Sequence, residues 1–158
     1  MTTLVLGIGN LLLGDDGVGV WLVRRLQEAY RFAEPVDLLD GGTLGLELLA
    51  HVADCERLLV LDAATTGAAP GTVVVLRDGD VPAVLRSALS AHEASLCDLL
   101  AASTLLGTAP REFVAIGIEP AGVAPGIALS DAVRAALPAA EREALAQLAR
   151  WGIAAEAR

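Results

Sequence analysis

Short apolar runs alternate along this chain with segments that repeat their apolar residues at helical spacing. Five of these runs predict β-strands, and they span residues 3–9, 36–40, 57–62, 72–76 and 113–118. Most are rich in Leu, Val and Ile, which is typical of a parallel sheet that is buried on both faces. The fourth run follows the third too closely for a crossover helix, because a parallel connection needs roughly a dozen residues or more. We therefore expect that run to be an antiparallel strand at an edge of the sheet.

Four segments have helical periodicity, and they predict helices over residues 17–30, 44–52, 93–106 and 130–151. The apolar residues expected on the buried face of the first helix are Val18, Trp21, Leu22, Leu26 and Ala29. Residues 82–89 are weakly helical. Ser130 is expected to cap the last helix, and Pro138 to kink or restart it.

The order of these elements predicts a single domain over residues 1–158. Its expected fold class is α/β, as a three-layer α/β/α sandwich. The sheet is expected to have about five strands, mostly parallel, with one antiparallel edge strand.

Aspartates stand at the carboxyl ends of three predicted strands. Asp15 and Asp16 follow the first strand, Asp40 ends the second and Asp62 ends the third. The carboxyl ends of parallel strands share one edge of the sheet, where ligands bind in α/β proteins. We therefore expect these acids to converge on one crevice suited to cation binding or acid–base chemistry. Of the adjacent Asp15 and Asp16, one is expected to cap the next helix and the other to face the crevice.

A histidine at the start of a predicted helix extends this set of acids. With Asp16 and Asp62, His92 would form a ligand set suited to a borderline divalent metal such as Ni, Zn or Fe(II). Each residue also has an ordinary structural explanation, because aspartates form turns and helix caps and a single histidine is often incidental. The second histidine, His51, falls on the polar side of its helix and is expected to be a solvated surface residue.

Charge and cysteine usage exclude several classes of function. The net charge of −9, from 20 acidic and 11 basic residues, argues against a nucleic-acid partner, which would require a basic surface. No apolar stretch approaches the roughly 18 residues of a membrane span, so we expect neither a signal peptide nor a membrane partner. Cys55 and Cys97 lack the spacing of a disulfide framework, which fits a reducing compartment. We therefore expect a cytoplasmic protein.

Other enzyme motifs are weak or missing. The segment 7–12 (GIGNLL) resembles the start of a dinucleotide-binding fingerprint, and Asp40 stands where a ribose-binding acid would lie. However, Leu12 occupies the position where that motif requires glycine, so we favour a tight strand exit and expect no bound nucleotide. The sequence contains neither a GxSxG nucleophile elbow nor an HExxH zinc-protease helix.

Six segments taken together resemble the hydrogenase maturation proteases, the endopeptidases that finish the large subunit of [NiFe] hydrogenase. They are GIGNLLLGDDGVG at 7–19, DGGTLGLELL at 40–49, LLVLDA at 58–63, PGTVVVLRDGDVPA at 70–83, HEASLCDLL at 92–100 and GIEP at 117–120. The tail LPAAEREALAQLARWGI at 137–153 is similar to that of the enzymes that serve uptake hydrogenases.

This resemblance implies an activity. Such proteases remove a short C-terminal extension from the large-subunit precursor after nickel has been inserted, so the nickel belongs to the substrate. The positions that match the family's metal contacts are Asp16, Asp62 and His92, and Asp16 stands where relatives often carry Glu. Asp40 matches an acid implicated in catalysis, and either Asp40 or Asp16 would be the general base of an aspartate-type or metal-assisted peptidase.

Further expectations concern exposure and assembly. We expect the side chains of Asp16 and His92 to face solvent and the protein to be monomeric. The alternative function is a nickel-binding chaperone for hydrogenase assembly that uses the same three ligands without hydrolysis.

Overall fold

A computed structural model describes residues 2–43, 46–77 and 103–158 of the chain. The strands in these ranges are β1 (Thr3–Ile8), β2 (Tyr30–Phe32), β3 (Val36–Gly42), β4 (Arg57–Ala63), β5 (Val73–Arg77), β6 (Glu112–Ile118) and β7 (Ala155–Ala157). The α-helices are α1 (Val18–Ala29), α2 (Leu49–Ala53) and α3 (Asp131–Arg150). Short 3-10 turns, Gly14–Gly17 and Leu46–Leu48, precede α1 and α2.

The main sheet has five strands in the order β3-β1-β4-β6-β5. Four of them are parallel, and β5 runs antiparallel to β6 at the edge of the sheet. Thr3 pairs with both Val36 and Arg57, and Arg57 pairs with Glu112, so the parallel strands begin in line. Their carboxyl ends therefore also meet at one edge. The predicted fold class, including the antiparallel edge strand, is confirmed.

Side chains alternate between the two faces of the sheet. One face, which we call the α1 face, packs against α1 and α3 and contains Val5, Leu59 and Leu61 among its buried residues. The opposite face, which we call the α2 face, packs against Leu48 and Val52. The strand residues buried there are Leu4, Leu6, Ile8, Leu58, Val60, Phe113 and Ala115. The two apolar faces explain why most strand sequences are almost continuously apolar.

The buried face of α1 differs from the prediction at Trp21, whose residue surface is 42% exposed. The helix approaches the sheet most closely at Gly19, where an added Cβ would overlap the carbonyl oxygens of Leu61 and Ile8. Trp21 lies two residues further on, about 200° around the helix, and so points away from the sheet. Val18, Leu22 and Leu26 of the predicted face are buried as expected, and the prediction is wrong at Trp21 because a glycine, and not a large side chain, makes the closest contact with the sheet.

A second, two-stranded sheet was not predicted. Tyr30 pairs with Ala157 and Phe32 with Ala155, which joins the end of α1 to the segment after α3 in antiparallel β2–β7. The predicted first helix includes Tyr30, whereas α1 ends at Ala29.

The remaining predicted helices differ from the structure in detail. Around the second predicted helix, the turn Leu46–Leu48 leads into α2, which ends at Ala53. The last helix begins after Ser130, whose Oγ accepts a hydrogen bond from the Val133 amide, and it continues through Pro138 without restarting. The segments 82–89 and 93–102 lie outside the described residues. In the described part of the chain, the structure contains no helix with the length and apolarity that a membrane crossing requires.

Candidate active site

The carboxyl ends of β1 and β4 lie beneath the turn Gly14–Gly17. The chain leaves β1 through Gly9, whose φ of 137° favours glycine, and a Cβ at that position would overlap the carbonyl oxygen of Asp16. The turn can therefore rest directly on the end of the strand, where it also contacts β4. The glycines of the segment GIGN therefore have a packing role. This agrees with the predicted tight strand exit, which we favour over a dinucleotide-binding fingerprint.

Asp16 is buried in this turn. Only 1% of its surface is exposed, and its Oδ2 accepts a hydrogen bond from the Asn10 amide at 3.0 Å. The expectation that Asp16 faces solvent is therefore wrong. The cause is the packing of the turn between the end of β1 and β4, which encloses the side chain.

Asp15 is also buried, but its hydrogen-bond partners differ from those of Asp16. Its carboxylate accepts hydrogen bonds from the Ser130 amide at 2.7 Å, the Ser130 hydroxyl at 2.8 Å and the Ala121 amide at 2.9 Å. Asp15 thereby ties the loop 119–130 to the turn before α1. The prediction that one of the two aspartates caps α1 is wrong, because the N-cap residue is Gly17 and no side chain accepts a capping hydrogen bond there.

Asp62 lies near the carboxyl end of β4 and is buried. The Ala63 amide donates a hydrogen bond to its Oδ1 at 2.7 Å, which fixes the direction of the carboxylate. By strand alternation Asp62 shares the α2 face with Leu58 and Val60. The fold therefore brings Asp16 and Asp62 to the same end of the sheet.

His92, the third residue of the predicted metal set, lies outside the described residues. Within the described ranges, no three His, Cys, Asp or Glu side chains are grouped as ligands of one metal ion.

Asp40 has a different position from the other acids. It pairs in register with Gly7, in the same row as Leu61, so its side chain lies on the α1 face, opposite to that of Asp62. Arg24 of α1 donates from Nε and Nη2 to Asp40 Oδ2 at 3.1 and 2.8 Å, and the Gly42 amide donates to Oδ1 at 3.1 Å. The predicted convergence of all three acids on one crevice therefore does not include Asp40.

Sequence reasoning missed a fourth buried acid at the same edge, Glu119, directly after β6. Glu119 accepts hydrogen bonds from the amide and hydroxyl of Thr66 at 2.7 and 3.0 Å and from the Gly67 amide at 3.2 Å. These contacts hold the loop that follows Asp62. The sequence carries a signal for this residue. Glu119 directly follows a predicted strand, and Asp40 and Asp62 stand at the ends of two other predicted strands.

Cys55 is not suited to act as a nucleophile. It is buried, its Sγ donates a hydrogen bond to the Val52 carbonyl oxygen, and burial raises the pKa of its thiol to about 11. A thiol with such a raised pKa carries almost no thiolate at neutral pH. The second cysteine, Cys97, lies outside the described residues.

Comparison with known proteins identifies the family of this chain. A family model described as hydrogenase maturation protease matches residues 20–147. The hydrogenase 2 maturation protease of Escherichia coli is 38% identical over 156 residues, which are 98% of this chain and 95% of that protein. The chain belongs to the hydrogenase maturation protease family. Another relative, the hydrogenase expression/formation protein HoxM of Azotobacter vinelandii, is 44% identical over 157 residues, covering 98% of this chain and 76% of that protein.

Solved structures of the family share the fold described above. The hydrogenase maturating endopeptidase HybD from E. coli superposes with a TM-score of 0.95 at 38% identity, covering 100% of this chain and 98% of that one. The [NiFe] hydrogenase maturation protease HybD from Thermococcus kodakarensis gives 0.74 at 31% identity, with 91% and 97% covered. The resemblance stated from the sequence motifs is confirmed, and the chain is a peptidase of hydrogenase maturation.

Proposed function

We propose that this hydrogenase maturation protease removes the C-terminal extension of the nickel-loaded [NiFe] hydrogenase large-subunit precursor. In this proposal Asp16, Asp62 and His92 recognise the nickel that the precursor carries. The observation that carries it is the placement of two buried carboxylates, Asp16 and Asp62, at the edge of the sheet where α/β proteins bind ligands.

A divalent cation fits the electrostatics of this edge. Burying negative charge is unfavourable unless a positive charge or hydrogen bonds compensate it. Asn10 and Ala63 supply backbone amides that orient Asp16 and Asp62. The substrate's nickel would add positive charge beside these carboxylates, and an imidazole from His92 would give the mixed N and O ligand set that suits Ni(II). Contact with nickel would make maturation of the precursor the recognition signal.

Asp40 is the better candidate for the general base. A third of its side chain is exposed (33%), so attacking water can reach it, whereas only 1% of the surface of Asp16 is exposed. Arg24 and the Gly42 amide hold the carboxylate in one orientation, and a general base must be positioned in this way. Asp16 is therefore assigned to the nickel contact.

The two functions are separated in space. β3, which carries Asp40, lies two strands from β4, which carries Asp62, and two strand spacings are about 10 Å. Recognition of nickel and attack on the peptide bond would therefore occur at different points of the precursor.

The direct test is to incubate the protein with nickel-loaded and with nickel-free precursor and to measure the mass of both products. We expect shortening of the loaded precursor alone. An unchanged mass despite binding of the loaded precursor would contradict the proposal and support the chaperone function.

Variants test the residue assignments. We expect Asp62→Asn and His92→Ala to lose nickel-dependent processing, while their thermal unfolding midpoints stay close to that of the wild type. Asp37→Asn and His51→Ala are matched controls, because both residues are exposed and lie away from the carboxyl edge. Processing at the wild-type rate by Asp62→Asn would rule out its role in nickel recognition.

Asp40→Asn should leave binding of the loaded precursor intact and lower kcat by about 100-fold or more, the usual contribution of a general base. Unchanged kcat in this variant would exclude Asp40 from the chemistry. The binding measurement separates that result from a loss of substrate recognition.

A further inference from the structure

A groove of about 880 Å³ lies beside α1, outside the edge that carries Asp16 and Asp62. Three large apolar side chains line it and are exposed: Leu12 (66%), Trp21 (42%) and Ile127 (75%). They come from three different segments of the chain, so the patch is a product of the fold. Contiguous exposed apolar surface of this kind marks interaction sites on soluble proteins.

The walls of the groove are held by hydrogen bonds. The Gly126 amide donates to the Leu12 carbonyl oxygen at 2.9 Å, and the Gly14 amide donates to the Gly126 carbonyl oxygen at 2.8 Å. Asp15 fixes the same loop through Ala121 and Ser130. The apolar side chains are therefore presented by a preorganised surface, which reduces the entropy lost on binding.

Basic side chains outnumber acidic ones in the lining of the groove. Three arginines line it, Arg24, Arg25 and Arg134, with one acid, Glu28, although the chain has 20 acidic and 11 basic residues. Arg24 and Arg25 form ion pairs with Asp40 and Glu141. Arg134 forms no ion pair within the described residues, and its Nη2 donates to the Leu129 carbonyl oxygen at 3.4 Å. A carboxylate of a partner would therefore find its best position near Arg134.

The groove is continuous with the proposed active site. Arg24 lines the groove and also binds Asp40. Leu11 and Leu12 continue from Asn10, whose amide binds Asp16. A chain segment that lies in the groove would thus be guided towards both acids. A second copy of this protein is a poor occupant, because two chains of net charge −9 repel each other.

We propose that this groove binds a segment of the hydrogenase precursor in which apolar side chains stand beside a carboxylate. The proposal rests on the proposed function for the identity of the partner. The apolar side chains would pack against Leu12, Trp21 and Ile127, and the carboxylate would pair with Arg134. The groove would supply affinity for the precursor, while nickel supplies the signal to cleave.

The test measures precursor binding and processing separately. Binding of fluorescently labelled nickel-loaded precursor gives Kd, and the rate of shortening gives KM and kcat. We expect Trp21→Ala to raise Kd and KM by about 10-fold and to leave kcat unchanged, because an aromatic side chain that becomes buried in a complex contributes strongly to affinity. Arg134→Glu should raise both constants more than Arg134→Ala does, because it reverses the charge.

Val123→Ala is the matched control, since Val123 is an exposed apolar residue of the same loop that does not line the groove. It should change Kd less than 2-fold, in keeping with near-neutral surface substitutions. Wild-type Kd and KM in both Trp21→Ala and Arg134→Glu would overturn the groove proposal while leaving nickel-dependent processing intact.

Two further outcomes are distinguishable. If the wild-type protein binds the loaded precursor without shortening it, the proposed function fails, and the Kd of Trp21→Ala still decides the role of the groove. If sedimentation shows a wild-type dimer that Trp21→Ala converts to a monomer, the groove is an interface between two copies and the proposal is wrong.

Discussion

Asp15 and Asp16 are neighbours in sequence with different surroundings. Asp15 accepts hydrogen bonds from Ala121 and Ser130, whereas Asp16 turns towards the end of the sheet and binds the Asn10 amide. Successive side chains of a tight turn point in different directions, so one acid holds a loop while the other lies at the carboxyl edge of the sheet. The stability and the activity of this turn should therefore be separable by mutation.

Asp15→Ala should destabilise the protein by about 3 kcal/mol, because it leaves two backbone amides and a hydroxyl without their charged acceptor. Asp15→Asn should lose less, since an amide oxygen can still accept part of the network. Equilibrium unfolding in urea measures both values. Asp37→Ala, at an exposed site, should stay within about 0.5 kcal/mol of the wild type. An unchanged urea midpoint in Asp15→Ala would show that these hydrogen bonds do not contribute to stability.

The acids at strand ends were predictable from the sequence, but their orientations were not. Placing Asp40 and Asp62 at the carboxyl edge required only the apolar runs before them. Placing them on opposite faces required the register between β3, β1 and β4, which the runs do not encode. The burial of Asp16 depended on the packing of its turn against β4, a contact between distant parts of the chain.

At the scale of elements, apolar runs predicted the five strands of the main sheet because each run carries its own signal. β2 and β7 carry none, since each has three residues and their partners lie far apart in sequence. The sequence pattern also did not predict the position of the contact between α1 and the sheet. It is made at Gly19, where the helix lies against backbone carbonyl groups at the ends of β1 and β4.

Gly19→Ala should therefore destabilise the protein even though alanine is the better helix former. The new methyl group would overlap the carbonyl oxygens of Leu61 and Ile8, and backbone atoms of central strands cannot move aside cheaply. Overpacking costs about 1–3 kcal/mol, and overlap with backbone oxygens places this substitution in the upper part of that range, above the gain in helix propensity of about 1 kcal/mol. Thermal unfolding measures the difference, and Glu28→Ala, at an exposed position of α1, is the control. A higher unfolding midpoint for Gly19→Ala would mean that α1 is not held this close to the sheet.

At the scale of the whole molecule, one carboxylate joins three elements. Glu141 of α3 accepts a hydrogen bond from the Tyr30 hydroxyl at 2.7 Å and forms an ion pair with Arg25 of α1. The hydrogen bond to Glu141 raises the pKa of Tyr30, with smaller contributions from desolvation and from the negative charge of Glu141, while Arg25 lowers it. Because the folded pKa is raised, the contact stabilises the fold below the ordinary tyrosine pKa of about 10 and is lost as pH rises through the folded value.

Tyr30 is the one tyrosine of the chain, so tyrosinate absorbance reports this contact directly. The wild-type protein should titrate above the ordinary pKa of about 10. In Glu141→Ala the midpoint should fall towards that value, whereas Glu143→Ala, an exposed site on the same helix, should titrate like the wild type. Identical titrations for wild type and Glu141→Ala would contradict the contact.

The strand order has a consequence for how the protein is made. β6 is synthesised after β4 and β5, yet it lies between them in the sheet. Until Glu112–Ile118 has left the ribosome, the apolar strand β4 has unpaired backbone amide and carbonyl groups along one side. Such strand edges readily pair with other chains. Pairing across so long a stretch of sequence is slow. We therefore expect the nascent protein to pass through an aggregation-prone stage that ends when β6 inserts between β4 and β5.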